Sequence, residues 1–292
     1  MIAITGATGN IGSKITADLL SKGQNVRCIA RTADNLKSFA DKGADIATIS
    51  LEDTAALSDA FRDIDAIFAM IPPDYQASDF RAFQNTIGAS IAKAVETSGV
   101  KYVVNLSSQG AHLPDKTGPI KGLHDQEQRL NKLKGVNILH LRPTYFMENL
   151  LANIDMIKQM NIMGSAIRGD MKIPMIATQD IARFAAERLL KKDFSGMTVK
   201  DLLGQRDVSM NEAAKIIGKK IDKPDLKYVQ FSYEDTEKAL VDMGFSADVA
   251  GLFIEMSKAF NQELINAPRT QENTTDTPLE EFAEVFARIF FA

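Results

Sequence analysis

The sequence predicts an α/β fold built on a doubly wound parallel sheet, with a smaller α+β lobe at its C-terminal end. Apolar strand-like segments alternate with amphipathic helical segments through the first half of the chain, and a glycine-rich turn joins the first strand to the first helix. With 292 residues and 45% hydrophobic content, the chain can form a main domain and a smaller second unit.

The elements up to residue 143 follow one another in strict alternation. After the first helix, Gly23 closes a turn, Gly43 ends the second helix, and Pro72 and Pro73 stop the fourth strand. Helices that connect successive strands in this way predict a parallel sheet covered on both faces. Beyond the N-terminal strand, the predicted strands are 26–30, 46–49, 66–71, 100–106 and 137–141, and the helices after the first are 33–42, 54–61, 75–98 and 123–134.

The alternation weakens after residue 143, which predicts a dinucleotide-binding domain over 1–145 and a smaller substrate lobe, or lid, over 146–292. Residues 178–203 are expected to pack back on the first domain. Thr277 and Glu280 predict a capping box, with Pro278 as the first helical residue, and an apolar stripe predicts that this last helix docks on the protein. The other predicted elements are helices 147–160, 178–191, 210–219, 233–242 and 247–264 and strands 198–203 and 226–230.

The turn between the first strand and the first helix carries the most specific signal. Gly6 permits a tight turn, Gly9 allows a phosphate to approach the backbone, and Gly12 lets the helix pack on its strand. A helix N-terminus and bare N–H groups then meet at one point, which favours a pyrophosphate. The predicted cofactor-binding residues of this turn are Gly6, Thr8, Gly9, Asn10 and Ile11.

Arg31 follows the second strand directly, where a dinucleotide fold meets the adenosine ribose. An acidic residue there accepts hydrogen bonds from a ribose 2′-hydroxyl, whereas an arginine offers a charged fork to a 2′-phosphate. The sequence therefore favours NADP(H) over NAD(H), and a solvated surface arginine is the alternative. Lys37 either assists Arg31 or is an exposed helix residue.

Composition excludes several other classes of protein. A net charge of −4 gives no overall field that attracts nucleic acid, and no apolar run approaches the length of a membrane span. The single cysteine, Cys28, lies in an apolar strand and predicts a packed thiol in a reducing cytoplasm, and the N-terminal strand leaves no room for a signal peptide. Metal-ligand spacing is absent among the three histidines, His112, His124 and His140, so no metal site is predicted. The expected partner is a small-molecule substrate, and the oligomeric state is left open.

Several segments together resemble the NmrA-like atypical short-chain dehydrogenase/reductases, and most closely the bacterial NAD(P)H-dependent quinone and triphenylmethane dye reductase type. The Arg-Pro-Thr-Tyr-Phe-Met-Glu-Asn segment is the most particular to that branch. The segments that carry the resemblance are the opening Thr5–Gly12, Arg31, Ser107-Ser108, Leu141–Asn149 and Thr277–Phe282.

The resemblance implies further site residues. It places Met70, Ile71 and Pro72 along the adenosine and nicotinamide-ribose path, and Ser107 near the nicotinamide. It also implies that Tyr145 contacts the cofactor and that Phe146 and Asn149 line the junction with the substrate. Met163 belongs to a set of methionines suited to an adaptable pocket wall. Core packing is the alternative for Tyr145, Phe146 and Met163, and a hydrogen bond at a helix start is the alternative for Asn149.

Catalysis is where the sequence departs from the wider short-chain dehydrogenase pattern. Those enzymes carry Tyr-x-x-x-Lys on the helix after strand five, where the lysine lowers the pKa of the tyrosine. The matching segment here is His124–Gln128, so both residues are absent and a nucleotide-sugar epimerase is disfavoured. His124 is the candidate proton donor because the ordinary pKa of histidine is near neutrality; a structural histidine is the alternative.

Two functions follow from the resemblance. The first is hydride transfer from NADPH to a quinone-like or dye-like electrophile, which is a good hydride acceptor and places little demand on a protein acid. The second is a regulator of the fungal NmrA type that binds the dinucleotide without turning it over. The missing tyrosine and lysine favour the second, and oxidation of NADPH in the presence of a quinone discriminates between them.

Overall fold

A computed structural model of the chain describes residues 1–33 and 36–292. In chain order, its strands are β1 (Ile2–Thr5), β2 (Val26–Ala30), β3 (Asp45–Thr48), β4 (Ala66–Ala69), β5 (Tyr102–Leu106), β6 (Asn137–Pro143), β7 (Ile162–Ser165), β8 (Lys172–Ile173), β9 (Met197–Leu202), β10 (Val208–Ser209) and β11 (Lys227–Gln230). Its α-helices are α1 (Gly12–Ser21), α2 (Lys37–Ala40), α3 (Thr54–Ala60), α4 (Phe80–Ser98), α5 (Ile120–Leu130), α6 (Ile154–Met160), α7 (Thr178–Lys191), α8 (Met210–Lys220), α9 (Tyr233–Asp242), α10 (Ala247–Asn261) and α11 (Leu279–Phe291).

The main sheet has seven parallel strands in the order β3-β2-β1-β4-β5-β6-β9. Ile4 of β1 pairs with Cys28 of β2 on one side and with Phe68 of β4 on the other. The strand order reverses between β1 and β4, and ligands of such sheets bind outside the carboxyl ends of the strands at this reversal. The predicted Rossmann-like fold class is confirmed.

Helices cover both faces of the main sheet. On one face α1 and α7 pack together over a core that includes Ile15 and Leu189, and on the other α3, α4 and α5 pack over Leu57 and Ile91. Cys28 is fully buried in the first face, and desolvation raises the pKa of its thiol to about 11. This thiol is therefore a packing group at neutral pH.

The segment after β8 returns to the main sheet. α7 lies against α1, and β9 adds to the outer edge of β6, with Met197 opposite Ile138. The rest of the C-terminal half forms a separate core around α6, α8, α10 and α11, with two small sheets that pair β7 with β11 and β8 with β10. In the described ranges, no helix combines the length and the apolarity needed to cross a lipid bilayer.

Several predicted helix bounds shift: residues 147–153 of the predicted helix 147–160 form a 3₁₀-helix, and α10 ends at Asn261 rather than at residue 264. α4 begins at Phe80 rather than at residue 75, because the Asp79 carboxylate caps it and the preceding loop is held by α10 instead. In that loop Tyr75 stacks on Phe245, with 4.7 Å between the ring centroids. α5 runs over 120–130 instead of 123–134. The predicted helix 33–42 is reduced to α2, and its residues 34 and 35 lie outside the described part of the chain.

The capping box predicted for the last helix is wrong. Pro278 is the N-cap of α11, and no side chain caps the helix there. The Thr277 hydroxyl instead donates to the buried carboxylate of Asp180 at 2.9 Å, and the Thr277 backbone N–H donates to the same carboxylate. The docking of this helix is confirmed, since its apolar stripe is buried at Phe282, Phe286 and Phe290.

Candidate functional site

The turn between β1 and α1 requires two of its glycines for steric reasons. Gly6 has φ +63°, and a Cβ added to it would lie 2.6 Å from the Sδ of Met70. A Cβ on Gly12 would lie 2.2 Å from the Gly6 carbonyl oxygen, so no side chain fits where α1 packs on the turn. The tight turn and the close helix packing predicted for these residues are both present.

The third glycine, Gly9, has one close neighbour and is otherwise open on the outer side of the turn. The Gly9 N–H donates to the Gly6 carbonyl at 2.9 Å, and an added Cβ would meet only that oxygen, at 3.3 Å. Thr8 and Asn10 are exposed beside Gly9, whereas the Ile11 side chain is buried in the core, so Ile11 offers only its backbone. The open side of the turn and the N-terminus of α1 fit a pyrophosphate.

Neighbouring strand ends flank this turn. Thr5 connects them, because its hydroxyl donates to the Phe68 carbonyl at 3.1 Å and accepts the Met70 N–H at 3.0 Å. Met70 therefore lies against Gly6, and Ile71 and Pro72 continue the chain from it, both partly buried.

Arg31 is exposed at the end of β2, the strand on the other side of β1. Lys37 pairs with Asp41 at 3.4 Å, and both side chains are exposed. This environment is the one expected for the second interpretation of Lys37, that of an exposed helix residue.

Ser107 lies at the end of β5, but its hydroxyl points to α5. This hydroxyl donates to the Glu127 carboxylate at 2.5 Å, and Arg142 donates to the same carboxylate from Nε at 2.9 Å and from Nη2 at 2.5 Å. The side chain of Glu127 is only 2% exposed. The Ser107 side chain therefore supports the strand end, and its backbone N–H donates to the Leu141 carbonyl at 2.8 Å.

Burial disfavours the charged form of Glu127, but hydrogen bonds from Arg142 and Ser107 outweigh it and hold the pKa of this carboxyl below its ordinary value. The pKa of the Arg142 guanidinium is raised by the same pair. This triad fixes the ends of β5 and β6 against α5. Sequence reasoning missed it, because Glu127 joins Ser107 and Arg142 only once strand and helix are packed.

We expect Glu127→Gln to lower the free energy of unfolding by about 2 kcal/mol at neutral pH, since the Arg142 guanidinium stays buried without its opposite charge. The wild-type protein should lose this advantage as the pH falls below the ordinary glutamate value of 4.5, because the unfolded chain then takes up a proton that folded Glu127 resists. Urea unfolding at several pH values measures both effects. Asp125→Asn on the same helix breaks the more exposed pair with Arg81 and should cost under about 1 kcal/mol; an equal loss in the two variants would contradict the role of burial.

Tyr145 and Phe146 follow β6 and face opposite sides. The Tyr145 ring meets Phe260 of the C-terminal lobe edge-on, 6.2 Å between centroids, whereas Phe146 packs on the sheet face that carries α1 and α7. The backbone here pairs with Ile176, whose N–H donates to the Tyr145 carbonyl at 2.9 Å. Desolvation raises the pKa of the Tyr145 phenol, which stays protonated at neutral pH.

Two predicted substrate residues differ in access. Asn149 is exposed in a 3₁₀-helix (Met147–Asn153), and its backbone N–H donates to the Phe146 carbonyl at 3.0 Å. This bond belongs to the backbone of the 3₁₀-helix and does not involve the Asn149 side chain. Met163 is fully buried on β7 in the core of the C-terminal lobe, where it acts as packing.

Glu148 connects this segment to the glycine turn, a link that sequence reasoning missed. Its carboxylate accepts the backbone N–H of Thr178 at 3.0 Å and the hydroxyl of the same residue, at the start of α7. Lys14 on α1 donates to that hydroxyl at 2.7 Å and to the Asn10 carbonyl at 2.9 Å. The segment after β6 is thereby tied to the turn where phosphate is predicted to bind.

His124 is partly buried on α5, and its Nδ1 lies 2.8 Å from the Ala111 carbonyl oxygen. A carbonyl only accepts, so Nδ1 carries the hydrogen and Nε2 is the atom that can exchange a proton. His140, in contrast, is buried between Asn105 and Asn131, and desolvation lowers its pKa to about 4. Within residues 1–33 and 36–292, no cluster of acidic, histidine or cysteine side chains could hold a metal ion.

The parallel sheet and the glycine turn at its reversal define a Rossmann-like α/β protein. The chain belongs to the NmrA-like family, which it matches over residues 1–283, and this confirms the predicted family.

Curated relatives and a solved structure are similar over nearly the whole chain. The (4-alkanoyl-5-oxo-2,5-dihydrofuran-3-yl)methyl phosphate reductase of Streptomyces griseus is 24% identical over 258 residues, 88% of this chain and 86% of the relative. Quinone oxidoreductase 2 of Escherichia coli is 24% identical over 296 residues, 99% of both chains. The triphenylmethane reductase of Citrobacter sp., solved with NADP(H), has a TM-score of 0.81 at 20% identity and covers 98% of this chain and 100% of its own.

Proposed function

We propose that this protein is an NADPH-dependent reductase that transfers a hydride to a small electrophilic acceptor, quinone-like or dye-like. The carrying observation is the turn at the strand reversal, where Gly9 leaves the backbone open to a pyrophosphate and Arg31 is exposed at the next strand end. The reductase names of the relatives support the assignment.

The proposed cofactor contacts follow from the geometry of the turn. Backbone N–H groups of Thr8, Asn10 and Ile11 and the N-terminus of α1 would hold the pyrophosphate, since the Gly9 N–H is bonded to the Gly6 carbonyl, and the Arg31 guanidinium would hold the 2′-phosphate. Met70, Ile71 and Pro72 would line the path toward the nicotinamide, which would lie near the Ser107 backbone and Tyr145. When bound, the cofactor supplies the hydride.

Protein side chains would supply the surroundings of the acceptor and its proton. His124 can pass a proton only through Nε2, because Nδ1 is held by the Ala111 carbonyl. Phe146 and Asn149 remain proposed substrate contacts, whereas buried Met163 would act only by shaping the lobe.

The test mixes the protein with NADPH and a panel of quinones and triphenylmethane dyes, and follows the absorbance of the reduced cofactor. Acceptor-dependent oxidation is expected. The regulator remains the second candidate because α5 carries His124–Gln128 in place of the tyrosine and lysine. Binding of NADPH in the roughly micromolar range without oxidation by any acceptor would reject the reductase and favour the regulator.

We expect His124→Ala to lower quinone turnover by about 10- to 1000-fold, the range for one general acid, with nearly unchanged NADPH affinity. His112→Ala, an exposed histidine on the loop before α5, is the matched control and should leave turnover unchanged. A small loss in His124→Ala would mean that His124 only shapes the site.

A further inference from the structure

A cleft of about 310 Å³ opens beside the carboxyl ends of β5 and β9, apart from the residues assigned above to the cofactor. The loop after β5 contributes Gln109, and the segment after β9 contributes Leu203. The rest of the wall comes from the chain around β8 and from the end of α10 and the residues that follow it. The cleft therefore lies between the main sheet and the C-terminal lobe, at the edge of the sheet where ligands of this fold bind.

Gln109 is the unusual residue of this cleft. It is only 2% exposed, and its backbone N–H donates to the Pro143 carbonyl at 2.9 Å, which holds it at the strand end. Both Oε1 and Nε2 of its side chain are buried without a hydrogen-bond partner among the described residues.

Other buried glutamines do not share this property. Gln84 donates through Nε2 to the Pro119 carbonyl, and Gln126 accepts from Arg129 through Oε1, so each leaves a single atom unpaired. A buried carboxamide that is unpaired at both atoms destabilises the free protein. A bound ligand that hydrogen-bonds to both atoms would explain why this group is present.

The charges around the cleft balance. Arg168 pairs with Asp170 at 3.0 Å and Arg269 pairs with Asp207, while Lys172 and Glu263 add one charge of each sign. The cleft therefore has no net field that would select an anion or a cation. Its apolar lining residues include Met171, Ile173, Leu203, Phe260 and Ile265, while Asn266 and the six charged residues make part of the wall polar, which suits an uncharged molecule with both apolar and polar groups.

We propose that this cleft binds a neutral molecule that carries a hydrogen-bond donor beside a carbonyl, and that the Gln109 carboxamide pairs with both groups. A plain quinone offers only acceptors and would leave Oε1 unpaired, and a cationic dye lacks the carbonyl for Nε2. The ligand class is therefore carbonyl compounds with an adjacent N–H or O–H, bound at a site whose lining is distinct from the residues proposed for hydride transfer.

The test uses two quinones of nearly equal shape, 2-amino-1,4-naphthoquinone and 2-methyl-1,4-naphthoquinone. Calorimetry without cofactor should give about tenfold tighter binding of the amino compound to the wild type, the scale of one neutral hydrogen bond. Gln109→Leu should remove this preference and raise Tm by a few degrees, because the unpaired amide is gone. The control Gln84→Leu removes a buried glutamine from α4 and should keep the preference.

Equal binding of the two quinones by the wild type, or a preference that survives in Gln109→Leu, would overturn the proposal. If Gln109→Leu does not fold, Gln109→Met removes the amide with an unbranched side chain and carries the same expectation. Ile173→Trp, which fills one wall, should weaken binding of both quinones at least tenfold, and unchanged binding would also overturn it. Failure of the proposed reductase function is seen separately, as no oxidation of NADPH, and leaves these binding constants unaffected.

Discussion

Gly9→Val is expected to weaken the binding of NADPH by about 100-fold or more while the protein keeps its fold. A valine side chain would occupy the open side of the turn, where the phosphates are proposed to approach the backbone. Inside the protein, its Cβ would meet one atom, the Gly6 carbonyl oxygen, at 3.3 Å, so the turn must shift by a few tenths of an ångström, which lowers stability without removing the fold. Calorimetric titration with NADPH measures the affinity, and circular dichroism checks the fold.

Gly251→Val provides the matched control for that variant. Gly251 lies in α10, and a Cβ there would meet only the Glu237 carboxylate, at 3.7 Å. The control should bind NADPH like the wild type. Full affinity in a folded Gly9→Val protein would refute the assignment of the turn as the pyrophosphate site.

Arg31→Asp is expected to invert the preference between the two cofactors. The change removes a charge-assisted fork from the 2′-phosphate and adds a repulsive carboxylate, which should cost about 3 kcal/mol or more for NADPH. NADH lacks the phosphate and should lose little, so the ratio of the two affinities should change by more than about 100-fold. Because Arg31 is exposed, the fold should tolerate the substitution.

Lys37→Asp tests whether the effect of Arg31→Asp is only a change of net charge. Lys37 is exposed on α2 and already paired with Asp41, so its replacement should shift the affinity for NADPH far less. Dissociation constants for NADPH and NADH in all three proteins decide the matter. Equal losses for the two cofactors in Arg31→Asp would show that Arg31 supports the protein and does not recognise the phosphate.

Features of this chain that depend on neighbours in sequence could be predicted. Alternating strands and helices identified the parallel sheet, since side-chain periodicity reports local structure. The turn at Gly6 was predictable for a related reason: its φ of +63° is a conformation that glycine adopts without steric cost. The position of Arg31 was also predictable, because a residue directly after a strand must lie at its end.

Contacts between distant segments were decided by the tertiary structure alone. α4 begins at Phe80 because the start of α10 holds the preceding loop. The Thr277 hydroxyl donates to Asp180, 97 residues away, and so does not cap α11. The pairing of a given hydroxyl with a given carboxylate depends on strand register and helix packing. Neither register nor packing can be read from a local sequence pattern.

The features of the candidate site fall into the same two groups, those that local sequence predicts and those that only the packed structure shows. The sequence determined the class of fold, the family and the glycine turn, all of which rest on local conformation and short motifs. Only the tertiary structure turned the Ser107 hydroxyl toward Glu127, buried Met163 and left the Gln109 amide unpaired beside a cleft. The physical reason is that burial and hydrogen-bond partners are properties of the packed molecule, set by segments that the chain brings together from far apart.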